Sequence, residues 1–220
     1  MTPITKTTLK FFKDIQQNNN REWFLKNKDR YLEVKNELEN FAEAWHHQIM
    51  AFDEALRSPD EKGYVFRIYR DARFAKGAPY KTGLGIMIVK GGRPKMYERA
   101  GYYLNIEPGR CFLVGGCYMP PSSWLQAIRK SIDEEPGPFK AILKSSAFKK
   151  NFTLEGAKLK TSPRDFPRDH PEIELLRHKS FMAMHHFEER EVFEPYFLEK
   201  LSKMSKALKP FDDYLNELNQ

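Results

Sequence analysis

The residues best suited to chemistry lie in one run of fifteen, Arg67-Ile-Tyr-Arg70-Asp-Ala-Arg73-Phe-Ala-Lys76-Gly-Ala-Pro-Tyr80-Lys81. Arg67, Arg70, Arg73, Lys76 and Lys81 stand here against a single acid, Asp71. Cations at this density repel one another, and an anionic ligand or buried carboxylates would relieve the repulsion. A guanidinium matches a phosphate or carboxylate through two parallel hydrogen bonds. Tyr69 and Tyr80 add hydroxyls or stacking faces, and Gly77 lets the backbone approach a ligand closely. The run therefore reads as an anion site. It is not a P-loop, because the G-x-x-x-x-G-K-[ST] spacing is absent.

A second basic turn, Arg177-His178-Lys179, follows a proline-bounded helix and is expected to close the same site. His178 is the one side chain there whose ordinary pKa suits proton transfer near neutrality. The alternative is structural: cations placed favourably at a helix C-terminus. Parity divides the first run as well. On an extended strand Arg67 and Tyr69 point one way and Phe66, Ile68 and Arg70 the other. Arg67 or Arg70 is then expected on a helix-covered side, where it would need a carboxylate such as Asp71, Glu107 or Glu22.

Other chemistries find little support. His170, His178, His185 and His186 lack the H-E-x-x-H spacing, and neither a G-x-S-x-G turn nor a dinucleotide fingerprint occurs. Cys111 and Cys117 share one face of a strand and fit no zinc or redox spacing, so they read as reduced, buried thiols. No metal and no cofactor is expected, no catalytic residue is assigned, and whether the chain is an enzyme stays open.

The elements that must position these residues follow from periodicity. A short helix is predicted over 5–16. Asn20 is a good N-cap for a long helix over 21–53, whose stripe Phe24, Tyr31, Leu38, Trp45 and Phe52 recurs every seven residues. The His46-His47 pair beside the stripe reads as solvated surface. Ser58–Gly63 is a turn. Strands are predicted at Val65–Arg70, Gly83–Val89, Gly101–Glu107 and Cys111–Met119, spaced too tightly for parallel crossovers. Helices follow at 121–136 and 138–144, a helical turn at Ala147–Phe152, a strand or loop at Leu154–Lys160, a short helix at Pro171–Leu176 and a helix over 188–219 that Pro210 should kink or restart. The fold class is α+β: a largely antiparallel sheet of about four to six strands packed against a long N-terminal helix and C-terminal helices. One domain over 1–220 is expected, with 5–53 helical, 64–119 the sheet core and 121–219 mainly helical.

Forty per cent hydrophobic residues fit a folded protein, and the net charge of +7 permits anionic partners without selecting one. No apolar run approaches membrane-spanning length and no signal peptide is evident, so no membrane partner is expected and the cytoplasm is the expected compartment.

Five stretches together resemble the family designated domain of unknown function 2461. They are Asn19-Asn-Arg-Glu-Trp-Phe24, Arg67–Lys76, Pro79-Tyr-Lys-Thr82, Gly101-Tyr-Tyr-Leu-Asn-Ile-Glu-Pro108 and Leu176-Arg-His-Lys-Ser-Phe181. The resemblance covers roughly residues 8–208. It implies a bacterial-type cytoplasmic protein and supplies no activity, cofactor or catalytic residue. It marks the basic run, the helix start at Asn19–Phe24 and the Arg177–Lys179 turn as distinguishing parts.

Three functions compete. The first is binding of, or a reaction on, a phosphorylated or otherwise anionic small molecule. Arg67, Arg70, Arg73, Lys76 and Lys81 would hold it, with Tyr69, Tyr80, Arg177, His178 and Lys179 contributing. The second is nucleic-acid binding, with Tyr69, Phe74 and Tyr80 stacking on bases between phosphate contacts. The third is a structural or protein-interaction role in which the basic cluster forms an internal ion-pair network.

Overall fold

A computed structural model describes residues 3–57, 63–71, 73, 75 and 77–219. Lys76, Phe74 and most of the turn expected at Ser58–Gly63 lie outside the described residues. The strands come in tight succession: β1 (Leu84–Ile88), β2 (Gly101–Ile106) and β3 (Cys111–Cys117), then, far along the chain, β4 (Thr153–Glu155) and β5 (Phe181–Phe187). They form one antiparallel sheet in the order β1-β2-β3-β5-β4. The α+β class is as expected.

Helices α1 (Lys6–Gln17), α2 (Arg21–Lys26) and α3 (Lys28–Ile49) precede the sheet. Helices α4 (Ser122–Glu134), α5 (Pro136–Lys144), α6 (Ser146–Asn151), α7 (Ile173–Leu176) and α8 (Phe197–Glu217) follow β3. Their apolar faces join one buried cluster with alternate sheet residues, among them Leu84, Ile86, Leu104, Leu113 and Phe181. Trp45 of α3 and Trp124 of α4 are fully buried there, and each indole N–H is satisfied, by Ser205 Oγ at 3.1 Å and by the Leu215 carbonyl at 2.8 Å. Both cysteines are free and buried, and burial pushes the Cys117 thiol up to about 12. Among the described residues no helix is long and apolar enough to cross a membrane, and no group of three or more His, Cys, Asp and Glu side chains could hold a metal.

Several expectations are corrected. The helix read over 21–53 breaks at Asn27, whose side-chain amide donates to the Trp23 carbonyl at 2.9 Å; a short polar side chain competing for backbone partners ends α2 and starts α3. His46 is buried, not solvated, with its ring between the Tyr64 hydroxyl and the Leu56 carbonyl at 2.7 Å each. Pro210 does not interrupt α8, which is one helix. The expected helix over 188–219 is instead a 3-10 turn at Glu189–Phe193 followed by α8. Strand β5 is not among the elements read from the sequence.

Helix α8 crosses β3 where two glycines remove the side chains. A Cβ on Gly115 would come 2.8 Å from Leu208 Cδ2 and 3.1 Å from Asp212 Oδ1. Gly116 adopts φ 113°, and its missing Cβ leaves room for the Phe181 carbonyl oxygen. The close crossing buries Asp212 to 3 % exposure with neither carboxyl oxygen in a well-formed hydrogen bond among the described residues, the Gly116 backbone lying near enough only to lower its pKa in part. Asp53 is buried nearby and accepts from the Tyr102 hydroxyl at 3.0 Å. Burial first, and then Asp53 and Asp213, hold the Asp212 carboxyl well above the usual range.

Candidate functional site

The basic run does not form the expected strand over Val65–Arg70. Tyr64 and Phe66 pair with the outer edge of β1: the Met87 N–H donates to the Tyr64 carbonyl at 3.0 Å and the Phe66 N–H to the Gly85 carbonyl at 2.9 Å. The chain then leaves β1 and doubles back on itself. Arg70 N–H donates to the Pro79 carbonyl at 2.9 Å and Lys81 N–H to the Ile68 carbonyl at 2.7 Å, with Gly77 at φ 81° in the turn. A local hairpin thus outcompetes continued pairing with the sheet.

Asn19 locks this hairpin to the N-terminal helices. Its side chain donates to the Tyr80 carbonyl at 2.9 Å and accepts from the Tyr80 N–H at 3.0 Å, as a neighbouring strand would. The next residue, Asn20, caps α2 by accepting from Trp23 N–H at 2.9 Å. The first turn of α2 so places Phe24, whose ring stacks on Tyr80 with centroids 4.0 Å apart and meets Tyr69 edge-on at 5.7 Å. Replacing Asn19 with Ala is expected to cost about 1–2 kcal/mol, because both bonds to Tyr80 are lost. Chemical denaturation measures the loss, and amide exchange should quicken across the hairpin but not in β2 or β3.

The cations are distributed unequally. Arg67, Arg70 and Arg73 are all exposed. The parity expectation that one of Arg67 and Arg70 is covered by helices therefore fails, since Ile68 is the inward residue of this stretch. Arg73 forms a salt bridge with Asp71 at 2.6 Å, and that pairing draws the Asp71 carboxyl below its ordinary value. Arg70 Nε donates to the Tyr80 carbonyl at 2.8 Å. Tyr80 is buried, its ring committed to Phe24 rather than facing outward. Exposed as they are, these three arginines are not buried against carboxylates.

Lys81 differs from them. It is half-buried, and its Nζ lies 5.3 Å from the centroid of the Phe66 ring. The Arg93 guanidinium, from the 3-10 turn at Arg93–Lys95, lies 5.3 Å from the same centroid. Burial, then Arg67, Arg93 and Arg70, lower the Lys81 pKa from the ordinary lysine value. Among the described residues no salt bridge to Lys81 occurs. Arg93 and Phe66 are the functional candidates that sequence reasoning missed.

Arg177, His178 and Lys179 do not meet this cluster. Leu84 sits opposite Ile106 at one end of the sheet, whereas Phe181 sits opposite Cys117 at the other, three strands away. At ordinary strand dimensions that is about 14 Å across and roughly 20 Å along the sheet. Arg177 instead donates from Nε to the Leu159 carbonyl at 2.8 Å and from Nη2 to the Lys160 carbonyl at 2.7 Å. His178 is buried, stacked on Phe181 at 5.4 Å, and burial lowers its pKa. The buried Arg129 side chain donates to the carbonyls of Leu176 and His178, so this turn is held from inside the protein. Lys179 is exposed.

Lys81 and Phe66 open onto the sheet face that the helices leave uncovered. A cavity of about 470 Å³ runs along it, floored by Gly85, Met87, Tyr103, Asn105, Phe112, Val114 and Gly116 and flanked by Met182 and Met184 of β5. Phe66, Lys81 and Arg110 line one part, and Met96, Tyr97 and Tyr118 another. None of the described lining residues is α-helical. The signal was present in β3, Cys111-Phe-Leu-Val-Gly-Gly-Cys117: without polar alternation, both faces of that strand need cover.

No curated protein and no solved structure matches the chain. A family model described as "Conserved hypothetical protein (DUF2461)" matches residues 7–214. That span takes in Asn19, the basic hairpin, Arg93 and every strand, and the chain belongs to this family.

Proposed function

We propose that this protein binds a small anionic molecule, carrying a phosphate or carboxylate group, at the corner formed by Lys81 and Arg93. The observation that supports this most directly is the placement of both cations 5.3 Å from the centroid of Phe66, a ring that, with Lys81, lines a cavity. The ring attracts each cation but leaves their mutual repulsion in place, and an anion bound beside them relieves it. Arg67 and Arg70 add positive potential from the adjoining hairpin. The corner is a binding arrangement, and no group in it is assigned to bond making or breaking.

Thermal-shift titration with inorganic phosphate, sugar phosphates and simple carboxylates tests the reading. Lys81→Met should weaken the anion about 10- to 100-fold, the worth of one charge-assisted hydrogen bond. Absence of any shift in the parent protein at millimolar anion, or full retention in the variant, would refute it.

The pH dependence has a definite sign. Folded Lys81 has a depressed pKa, so its charge costs stability at neutral pH, and the cost fades as pH rises through the lowered value toward the unfolded 10.5. A bound anion offsets that cost only while the amine is charged. The stabilisation by sulfate, whose own charge is fixed here, is therefore expected to shrink as pH rises toward 10.5, and in Lys81→Met to stay flat.

A second reading rests on Tyr69, 47 % exposed, beside the exposed Arg67, Arg70 and Arg73. That surface suits a single-stranded nucleic acid, with stacking and phosphate contacts together. Affinity for a short oligonucleotide that falls steeply with salt and is lost in Tyr69→Ala would favour it.

A further inference from the structure

We propose that the groove on the open sheet face receives the unbranched apolar tail of an anionic amphiphile, a medium-chain acyl carboxylate being the ligand class, with its head at Lys81. This rests on the anion-binding reading of the Lys81–Arg93 corner and extends it to the rest of the molecule.

Polarity along the groove carries the argument. The row Asn105–Phe112–His186 crosses one end of the sheet and the row Gly101–Gly116–Met182 crosses it four residues further on. At strand rise that separation is about 13 Å, the reach of an extended medium-length chain. Lys81 precedes β1 at the first end, and Arg110 precedes β3 there, with its guanidinium 5.6 Å from the Phe112 centroid. The distant end holds Met182 and the exposed Tyr118, which carry no charge. Charge at one end and thioether and aromatic surface at the other is the complement of a head and a tail.

The floor supports the same occupant. Met87, Phe112 and Val114 are 7–8 % exposed although their side chains lie outside the helix-packed cluster. Gly85 makes room for the Tyr103 ring, which lies across it as part of the floor, since a Cβ there would collide with that ring. Methionines with several rotatable bonds adapt to a flexible chain without a fixed shape. A second copy of this chain is the competing occupant, and its cationic rim would then face an identical cationic rim.

Titration calorimetry at submicellar concentration with decanoate, decanol, acetate and inorganic phosphate separates the possibilities. Decanoate is expected to bind about 100-fold more tightly than acetate, because only part of the chain leaves water, and more tightly than decanol. Met184→Trp, which fills the groove, should remove most of the decanoate advantage and leave phosphate binding unchanged. Phosphate binding with decanoate no tighter than acetate overturns the tail site alone and leaves the anion corner standing. Decanol binding equal to decanoate overturns the assignment of Lys81 as the head site, and the amphiphile with it. Concentration-dependent dimerisation, read by light scattering and abolished by Met184→Trp, assigns the groove to a second copy and also overturns the proposal.

Discussion

Asp212→Asn is expected to raise stability at pH 7–8 by about 2 kcal/mol, the scale on which buried, unpaired charged groups destabilise proteins. For a chain of this size that is about 4–8 °C in melting temperature. The cause is the crossing of α8 over β3, which buries Asp212 with no well-formed hydrogen bond among the described residues, the nearby Gly116 backbone only partly offsetting this, and sets Asp53 and Asp213 against it. Lys209 faces the same acids but is committed to Asp213 at 2.6 Å. With its carboxyl pKa raised above the unfolded 3.8, the folded protein keeps a proton that the unfolded chain has released. Native stability attributable to Asp212 is therefore complete below about pH 4 and declines as pH rises through the folded value. The asparagine carries no such proton. Melting temperatures of the two proteins should converge near pH 4 and separate progressively above it. A constant gap at every pH would show that charge is not the cause. Asp213→Asn, which removes the exposed partner of Lys209, should give no gain.

The second large effect is of opposite sign and a few ångströms away. Gly116→Ala should lower stability by at least about 3 kcal/mol and leave too little folded protein to purify at 37 °C. At φ 113° an L-residue is strained, and the added methyl would collide with the Phe181 carbonyl oxygen and lie 2.9 Å from Phe211 Cε1. Relief requires β5 to move away from β3 or α8 to lift. Gly109→Ala is the comparison: at φ 72° it is also strained, but nothing lies within 4 Å, so a loss of only about 1 kcal/mol is expected. Denaturant midpoints for the pair would separate backbone strain from the collision.

How far the chain announces itself varies by element. Strands β1, β2 and β3 were legible because short loops such as Pro108-Gly109 separate runs of strand-favouring residues. The misreading of Val65–Arg70 has a local cause, since the residues have strand propensity but Tyr69 bridges Tyr80 within its own hairpin. Strand β5 alternates Phe181, Ala183 and Phe187 inward, but His185 and His186 blur the pattern and its partner β3 lies a long excursion earlier. In the site, the arginines of the hairpin were visible by their density. Arg93 and Arg110 were not, because only tertiary folding brings the first to Phe66 and the second to the groove. Asn19 holds a backbone sixty-one residues away and leaves no local trace beyond its place in the Asn19–Phe24 stretch.

The bond between Asn19 and Tyr80 also bears on how the sheet avoids other chains. An unpaired strand edge is a template for intermolecular pairing. Here the outer edge of β1 is occupied by Tyr64 and Phe66, the hairpin beyond it turns inward on itself, and Asn19 satisfies the donor and acceptor of Tyr80 that another strand would seek. The opposite edge is β4, only three residues long. Both borders of the sheet thus resist edge-to-edge aggregation.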